Sequence, residues 1–378
     1  HAHNGGVAGG LTELAYLPEY ANNDPSPITL KAGLDFHPHS RVSRWKPGTR
    51  TSYSNSGPPV AAYIVQKITG QDFEEYVAEN FFAPLEMTTA DYRLGEGVRE
   101  NGATLYSNGI EEDYWHIIMR PSGSINASPT DMARFLRLFL GRGSVDGVQY
   151  VSPASIDRME RAETNNASAR GLQAGYGLHN YTTSYENWVY HAHNGGVAGG
   201  LTELAYLPEA GVGYAFMINS DAAAAFGEIS DLIRSFQTRD LPTPPVPDAV
   251  ALTAADRDIA GLYQPINPRQ QAGYFLERMV GVERFWFEDD ELQRRPLLGG
   301  DAQQYRHAGN GLYRSPESGM IVLARAEDPL SGDVVHVGSR VFRPVSSAVA
   351  YGQLAIGALW GLFIASSLFY FLVWGVRK

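Results

Sequence analysis

The chain has 378 residues, 44% of them hydrophobic and 19% charged, a composition that supports a folded core and a length that favours more than one domain. A formal net charge of -11 and a pI near 5.4 argue against a phosphate-binding surface, so nucleic acid is not an expected partner. With no cysteine there can be no disulfide and no thiolate metal site, which suits a protein exported to an oxidising compartment.

Residues 1–19, HAHNGGVAGGLTELAYLPE, repeat residues 191–209 letter for letter. An old functional repeat would have diverged, so the first copy reads as non-native. The second copy runs on into GVGYAFMINSD, which supplies a partner strand. The chain starts at His1 and shows no charged-then-apolar leader, so an N-terminal part is expected to be missing.

Residues 20–239 read as one domain, within which the stretch from Pro47 to about Arg239 alternates helices with short strands. Residues 58–69 predict a helix opened by proline, with Val60, Ile64 and Ile68 at helical spacing and Gly70 as its stop. Ser128 or Thr130 caps a second helix, DMARFLRLFL. Residues 201–207 and 212–218 read as strands joined at PEAG, and the apolar positions from Phe226 to Phe236 mark a helix fit to cover that sheet. Residues 240–250, around LPTPPVP, form a stiff linker. Residues 251–345 carry short runs such as RFWFED, MIVLAR and VVHVGSRVF between turn residues, the spacing of a small all-β domain. Residues 346–378 hold an uncharged apolar run long enough to span a bilayer, closed by Trp374, Arg377 and Lys378. Basic residues at that edge predict a single-pass helix with the soluble domains on the extracytoplasmic side.

The most specific stretch is PGTRTSYSNSGPPVAAYIVQKITGQDFEEYVAENFFAPLEM. Its Pro47-Gly48 turn, Tyr53-Ser54-Asn55, Thr69-Gly70 and Pro84-Leu85-Glu86-Met87 resemble the serine beta-lactamase and penicillin-binding-protein family, in its class C branch. Glu86 departs from the family's usual glycine. A second landmark, PSGSINASPTDMARFL, is similar to a family segment with packing and capping roles. The third is His193-Asn194-Gly195, which resembles the family's K-T-G or H-x-G triplet; its histidine is closer to esterase and D-aminopeptidase members. His191 is the competing candidate, and the H-x-G-G spacing favours His193.

The resemblance implies a mixed α/β fold, α+β in the strict sense: a three-layer α/β/α hydrolase domain with an antiparallel sheet. It implies catalytic roles for Tyr53 and His193 and substrate-binding roles for Asn55, Asn194 and Gly195. A tyrosine with an ordinary pKa near 10 is a poor base at neutral pH, so it needs neighbours that favour its phenolate or relay its proton. The basic side chain at position 193 would bring positive charge, and Gly195 would let backbone and substrate approach closely. The implied reaction is acyl transfer through a serine acyl-enzyme on an ester, a D-amino-acid peptide or a beta-lactam. The implied partner is a small-molecule or cell-wall-derived peptide substrate, and no metal or organic cofactor is expected.

The family's nucleophile and base form S-x-x-K on a helix, one turn apart. Only Ser43-Arg44-Trp45-Lys46 fits that pattern, and Lys46 precedes a proline, which biases it away from helix. The chain is therefore expected to be crippled as a hydrolase. The alternative is a non-catalytic envelope protein that binds cell-wall peptides or a partner. His37-Pro38-His39 reads as a loop, and Glu111-Glu112-Asp113 and Glu288-Asp289-Asp290-Glu291 as solvated turns.

Overall fold

A computed structural model describes residues 29–36, 44–117, 119–268 and 273–377. The duplicated block at residues 1–19, the His37-Pro38-His39 triplet and Ser43 lie outside the described residues.

The first layer is helical. Pro58 and Pro59 open the Gly57–Thr69 helix where their missing N–H groups are not needed, and Gly70 ends it in the left-handed region at φ 73°, its N–H bonding to the Gln66 carbonyl. Ser128, rather than Thr130, caps the Pro129–Leu140 helix by accepting from the Asp131 amide at 3.2 Å. Leu136 and Phe139 of that helix pack with Ile156 and Tyr206, so the amphipathic stripe read from the sequence is the face that meets the sheet.

Two short hairpins, β1 (Leu105–Ser107) with β2 (Ile110–Glu112) and β3 (Ser144–Val145) with β4 (Val148–Gln149), flank the main sheet. That sheet is four-stranded and antiparallel, in the order β5 (Tyr181–Tyr185), β6 (Trp188–Val197), β7 (Gly200–Leu207) and β8 (Val212–Ile218). The second copy of the repeated block therefore supplies most of β6 and all of β7, and β7 joins β8 through a tight turn closed by Gly211 at φ 66°. Burial alternates along β6. Trp188, Tyr190 and Ala192 face a core shared with Tyr214 and Ile233 beneath the Ala223–Thr238 helix, while His191 and His193 point to the opposite face. Helices on both faces of an antiparallel sheet give the expected three layers.

The all-β region is a closed antiparallel barrel of eight strands. These are β9 (Gly261–Pro265), β10 (Glu283–Glu288), β11 (Glu291–Pro296), β12 (Gln303–Gly309), β13 (Leu312–Arg314), β14 (Ile321–Asp328), β15 (Gly332–Val337) and β16 (Arg340–Val345), with β16 returning to pair with β9. Tyr263, Phe285, Leu292, Tyr313, Leu323 and Phe342 fill its interior. Asp289 and Asp290 both take positive φ in the β10–β11 turn, which accounts for that acidic cluster as a hairpin loop. The chain ends in the Ser347–Arg377 helix, whose Ser347–Leu372 portion has the length and hydropathy of a membrane span.

The barrel and the region around the four-stranded sheet are joined by buried polar contacts. Arg50 donates to Asp328 Oδ2 at 2.8 Å and Oδ1 at 2.6 Å, to the Ile266 carbonyl at 2.9 Å and to Ser331 Oγ at 2.8 Å. Asn267 reaches the Thr51 carbonyl at 2.7 Å, and Gln173 exchanges hydrogen bonds with the backbone of Ile321.

Candidate active site

Residues 50–54 form an irregular stretch after the Pro47-Gly48 turn, and Asn55-Ser56 turn the chain into the Gly57–Thr69 helix, Ser56 already having helical dihedrals at φ -78° and ψ -16°. Ser52, Ser54 and Ser56 are buried, whereas Tyr53 and Asn55 are half-buried. The segment is pinned along its length. Thr51 Oγ1 lies 3.0 Å from Thr164 Oγ1, Asn165 donates to Thr51 Oγ1 at 3.3 Å, and Ser122 Oγ donates to the Asn55 carbonyl at 2.5 Å.

His193 sits in β6 opposite Leu204. Its ring lies 6.3 Å from that of Tyr53, so two residues 140 positions apart in sequence, both expected in the site, are brought together. Tyr176, Tyr181 and His179 complete the cluster, with ring centroids 6.1, 5.9 and 5.4 Å from His193. His193 Nδ1 is 2.7 Å from the Asn194 carbonyl. A carbonyl only accepts, so Nδ1 carries the proton and Nε2 presents its lone pair. Nε2 is buried and has no hydrogen-bond partner among the described residues. Burial lowers the pKa of His193 and outweighs the opposing hydrogen bond to Asn194. The imidazole is thus suited to accept a proton at Nε2.

The surroundings reinforce this. Burial, with His193 adding to it, pushes His179 down to about 4, and burial followed by the Glu203 charge pushes Tyr181 up to about 12. Burial thus holds His179 and Tyr181 in their neutral forms near pH 7.

Gly195 shares the His193 face, and a Cβ there would stand 3.0 Å from Thr202 Oγ1, so the close approach leaves little room for a side chain. Asn194 is exposed and alternates to the other face, where it pairs across the sheet with Glu203. Its carbonyl, not its amide side chain, is what meets His193. Farther along, Gly199 has φ 72° and a Cβ would meet the Tyr106 amide at 2.6 Å; this glycine lets the β1–β2 hairpin close over the end of β6. His191 packs against Tyr206 at 5.6 Å, away from the cluster around Tyr53.

Tyr176, His179 and Tyr181 escaped the sequence reading. Their signal was aromatic and histidine density in AGYGLHNY, framed by two glycines. Gly177 is essential there, since a Cβ would fall 1.9 Å from the Met159 carbonyl oxygen. The three described lysines, Lys31, Lys46 and Lys67, are all exposed. Lys46 sits in the turn whose carbonyl accepts from Thr49 Oγ1 at 2.7 Å, so it is not on a helix with a serine one turn before it.

The beta-lactamase family profile matches residues 13–237, more than half of the chain. Penicillin-binding protein 4 of Amycolatopsis lactamdurans is 26% identical over 237 residues, covering 58% of this chain and 60% of that relative, so this chain spans less than two thirds of its length. Among solved structures, the D-amino acid amidase from Ochrobactrum anthropi SV3 complexed with D-phenylalanine superposes with a TM-score of 0.50 at 18% identity, over 62% of this chain and 75% of that one. The octameric penicillin-binding protein homologue from Pyrococcus abyssi aligns over 90% of this chain and 76% of its own, at 16% identity and a TM-score of 0.49. By a family profile that matches more than half of its length, the chain belongs to the beta-lactamase family.

Proposed function

We propose that the chain carries the tyrosine and histidine walls of a serine acyl-transfer site for an ester, a D-amino-acid peptide or a beta-lactam. In such a site a serine oxygen attacks the carbonyl, the C–N or C–O bond breaks with a proton delivered to the leaving group, and water later cleaves the acyl-enzyme. Tyr53 and His193 move the protons, and Asn55 with the backbone at Asn194 and Gly195 holds the acyl group. The observation that carries the reading is the pairing of Tyr53 with a neutral His193 whose Nε2 is buried and unpartnered among the described residues.

The chain as it stands binds without turning over. Ser43 and Lys46 are the only S-x-x-K match, and Lys46 is exposed in a turn. This favours the second reading, a non-catalytic envelope protein that retains the cleft, for the present sequence. The Ser347–Leu372 span crosses the membrane once, with the cleft outside the cytoplasm.

The test uses the 378-residue chain and a chimera given an S-x-x-K helix of the family. The chain itself should form no adduct with a fluorophosphonate, and the chimera should hydrolyse a nitrophenyl ester or a D-amino-acid amide. Tyr53→Phe or His193→Ala in the chimera should lower turnover by at least about 10²-fold, the lower range for a positioned acid-base group. Ester hydrolysis by the unmodified chain, abolished by Ser43→Ala, would overturn the assignment.

A further inference from the structure

The Ser347–Arg377 helix does not meet one environment along its length. Ala350 is fully buried, and Gln353, Leu354 and Gly357 are half-buried, positions that share one helical face. That face is held to the barrel. Gln264 in β9 donates to Gln353 Oε1 at 2.8 Å, and Met279 of the Tyr274–Val280 helix packs so closely on Gly357 that a Cβ there would meet its sulfur at 2.6 Å. From Ala358 to Leu372 every residue is exposed.

Length points the same way. The 26 residues of the apolar span make about 39 Å of helix, about 9 Å more than the hydrocarbon core requires. That surplus is about six residues, which matches the stretch from Ser347 to Gln353 that the barrel holds. The Tyr274–Val280 helix lies beside the point where the terminal helix leaves the protein, and it exposes Phe275 at 60%, Leu276 at 38% and Val280 at 46%. A hydrogen bond from the Leu297 amide to the Val282 carbonyl brings Leu298, 62% exposed, next to the same helix.

We infer that the outer boundary of the bilayer lies between Gln353 and Gly357, and that the Tyr274–Val280 helix with Leu298 rests in the headgroup layer as a second, side-on lipid contact. The occupant is a lipid surface because the patch adjoins the exposed apolar wall of the span, and the helix's consecutive polar residues, Glu277 and Arg278, fall at its flank. The barrel would then sit directly on the membrane. This rests on the proposed membrane crossing.

Because the chain has no cysteine, single cysteines report without a background. The full chain, reconstituted in phosphatidylcholine vesicles, is labelled with an environment-sensitive fluorophore at F275C, V280C, V349C and L368C, with V148C as an exposed control. Lipids carrying nitroxides at shallow or deep acyl positions serve as quenchers. The expected result is deep quenching at position 368, shallow quenching at 275 and 280, and water-like emission at 349 and 148. Water-like emission at 275 and 280 with deep quenching at 368 overturns the side-on contact while leaving the span intact. Quenching at 349 equal to that at 368 overturns the boundary. Water-like emission at 368 removes the membrane crossing and the inference with it.

Discussion

Replacing Asp328 by alanine tests whether the barrel is an integral part of the beta-lactamase-family domain. Asp328 and Arg50 have side chains only 1% and 4% exposed, and Arg50 lies three residues before Tyr53. D328A removes two charge-assisted hydrogen bonds and strands the guanidinium with two neutral acceptors, the Ile266 carbonyl and Ser331 Oγ. Breaking a buried pair from one side costs about 3–5 kcal/mol, and the remaining acceptors place this case near the lower end. R50M/D328L removes both charges together and should recover at least about 2 kcal/mol of that loss. Equilibrium urea unfolding in detergent micelles, followed by near-ultraviolet circular dichroism at pH 7, measures both. The penalty should also depend on pH in a defined direction. Burial alone would raise the Asp328 carboxyl, but Arg50 and the amides of Leu330 and Ser331 outweigh it and hold the group below the ordinary range. A carboxyl depressed in the folded state stabilises fully above its unfolded value near about 3.9 and less as pH falls through the folded one. The D328A penalty should therefore shrink below about pH 4. A loss under about 1 kcal/mol at pH 7, or a penalty that grows on acidification, would refute the clamp.

His336 is fully buried and pushed down to about 4 by burial, so it favours the folded state at pH above about 6.5 and loses that contribution as pH falls from there to about 4. His336→Leu should flatten a plot of melting temperature against pH over that interval, with a difference worth up to about 3 kcal/mol. Gly177→Ala should destabilise by about 2 kcal/mol, since the added methyl meets the fixed Met159 carbonyl; the same variant should displace Tyr176 and His179, visible as altered ring shifts in the His193 imidazole spectrum. Removing residues 1–19 should leave the melting temperature unchanged within about 2 °C in calorimetry, because the 191–209 copy already pairs with both its neighbours in the sheet.

Local signals were the legible ones. Pro58, Gly70 and the capping Ser128 marked helices to within a residue or so, and PEAG marked the β7–β8 hairpin, because caps and tight turns depend on neighbours in sequence. Tyr53, Asn55 and His193 were readable through a resemblance, not through spacing. Barrel closure was not readable: β9 pairs with β16 across a long intervening stretch, and alternating burial says which face of a strand is wet without naming its partner. The Arg50–Asp328 contact spans 278 positions and joins residue types that are ordinarily exposed, so composition hid it. His179 reached the site through a backbone with φ 85°, a conformation that few non-glycine residues adopt and that no neighbouring residue announces.

The proline-rich stretch after Thr238 has a consequence for reach. It looks like a stalk in sequence, yet Asn187 donates to the Pro244 carbonyl at 2.6 Å, and Val250 meets His307 twice, its amide donating to the His307 carbonyl at 2.9 Å and its carbonyl lying 3.0 Å from His307 Nδ1. A connector fastened at two points is not a leash. With the buried Arg50–Asp328 contacts it ties the barrel to the sheet as one block, so a displacement of the barrel carries the Tyr53 segment, three residues from Arg50, along with it.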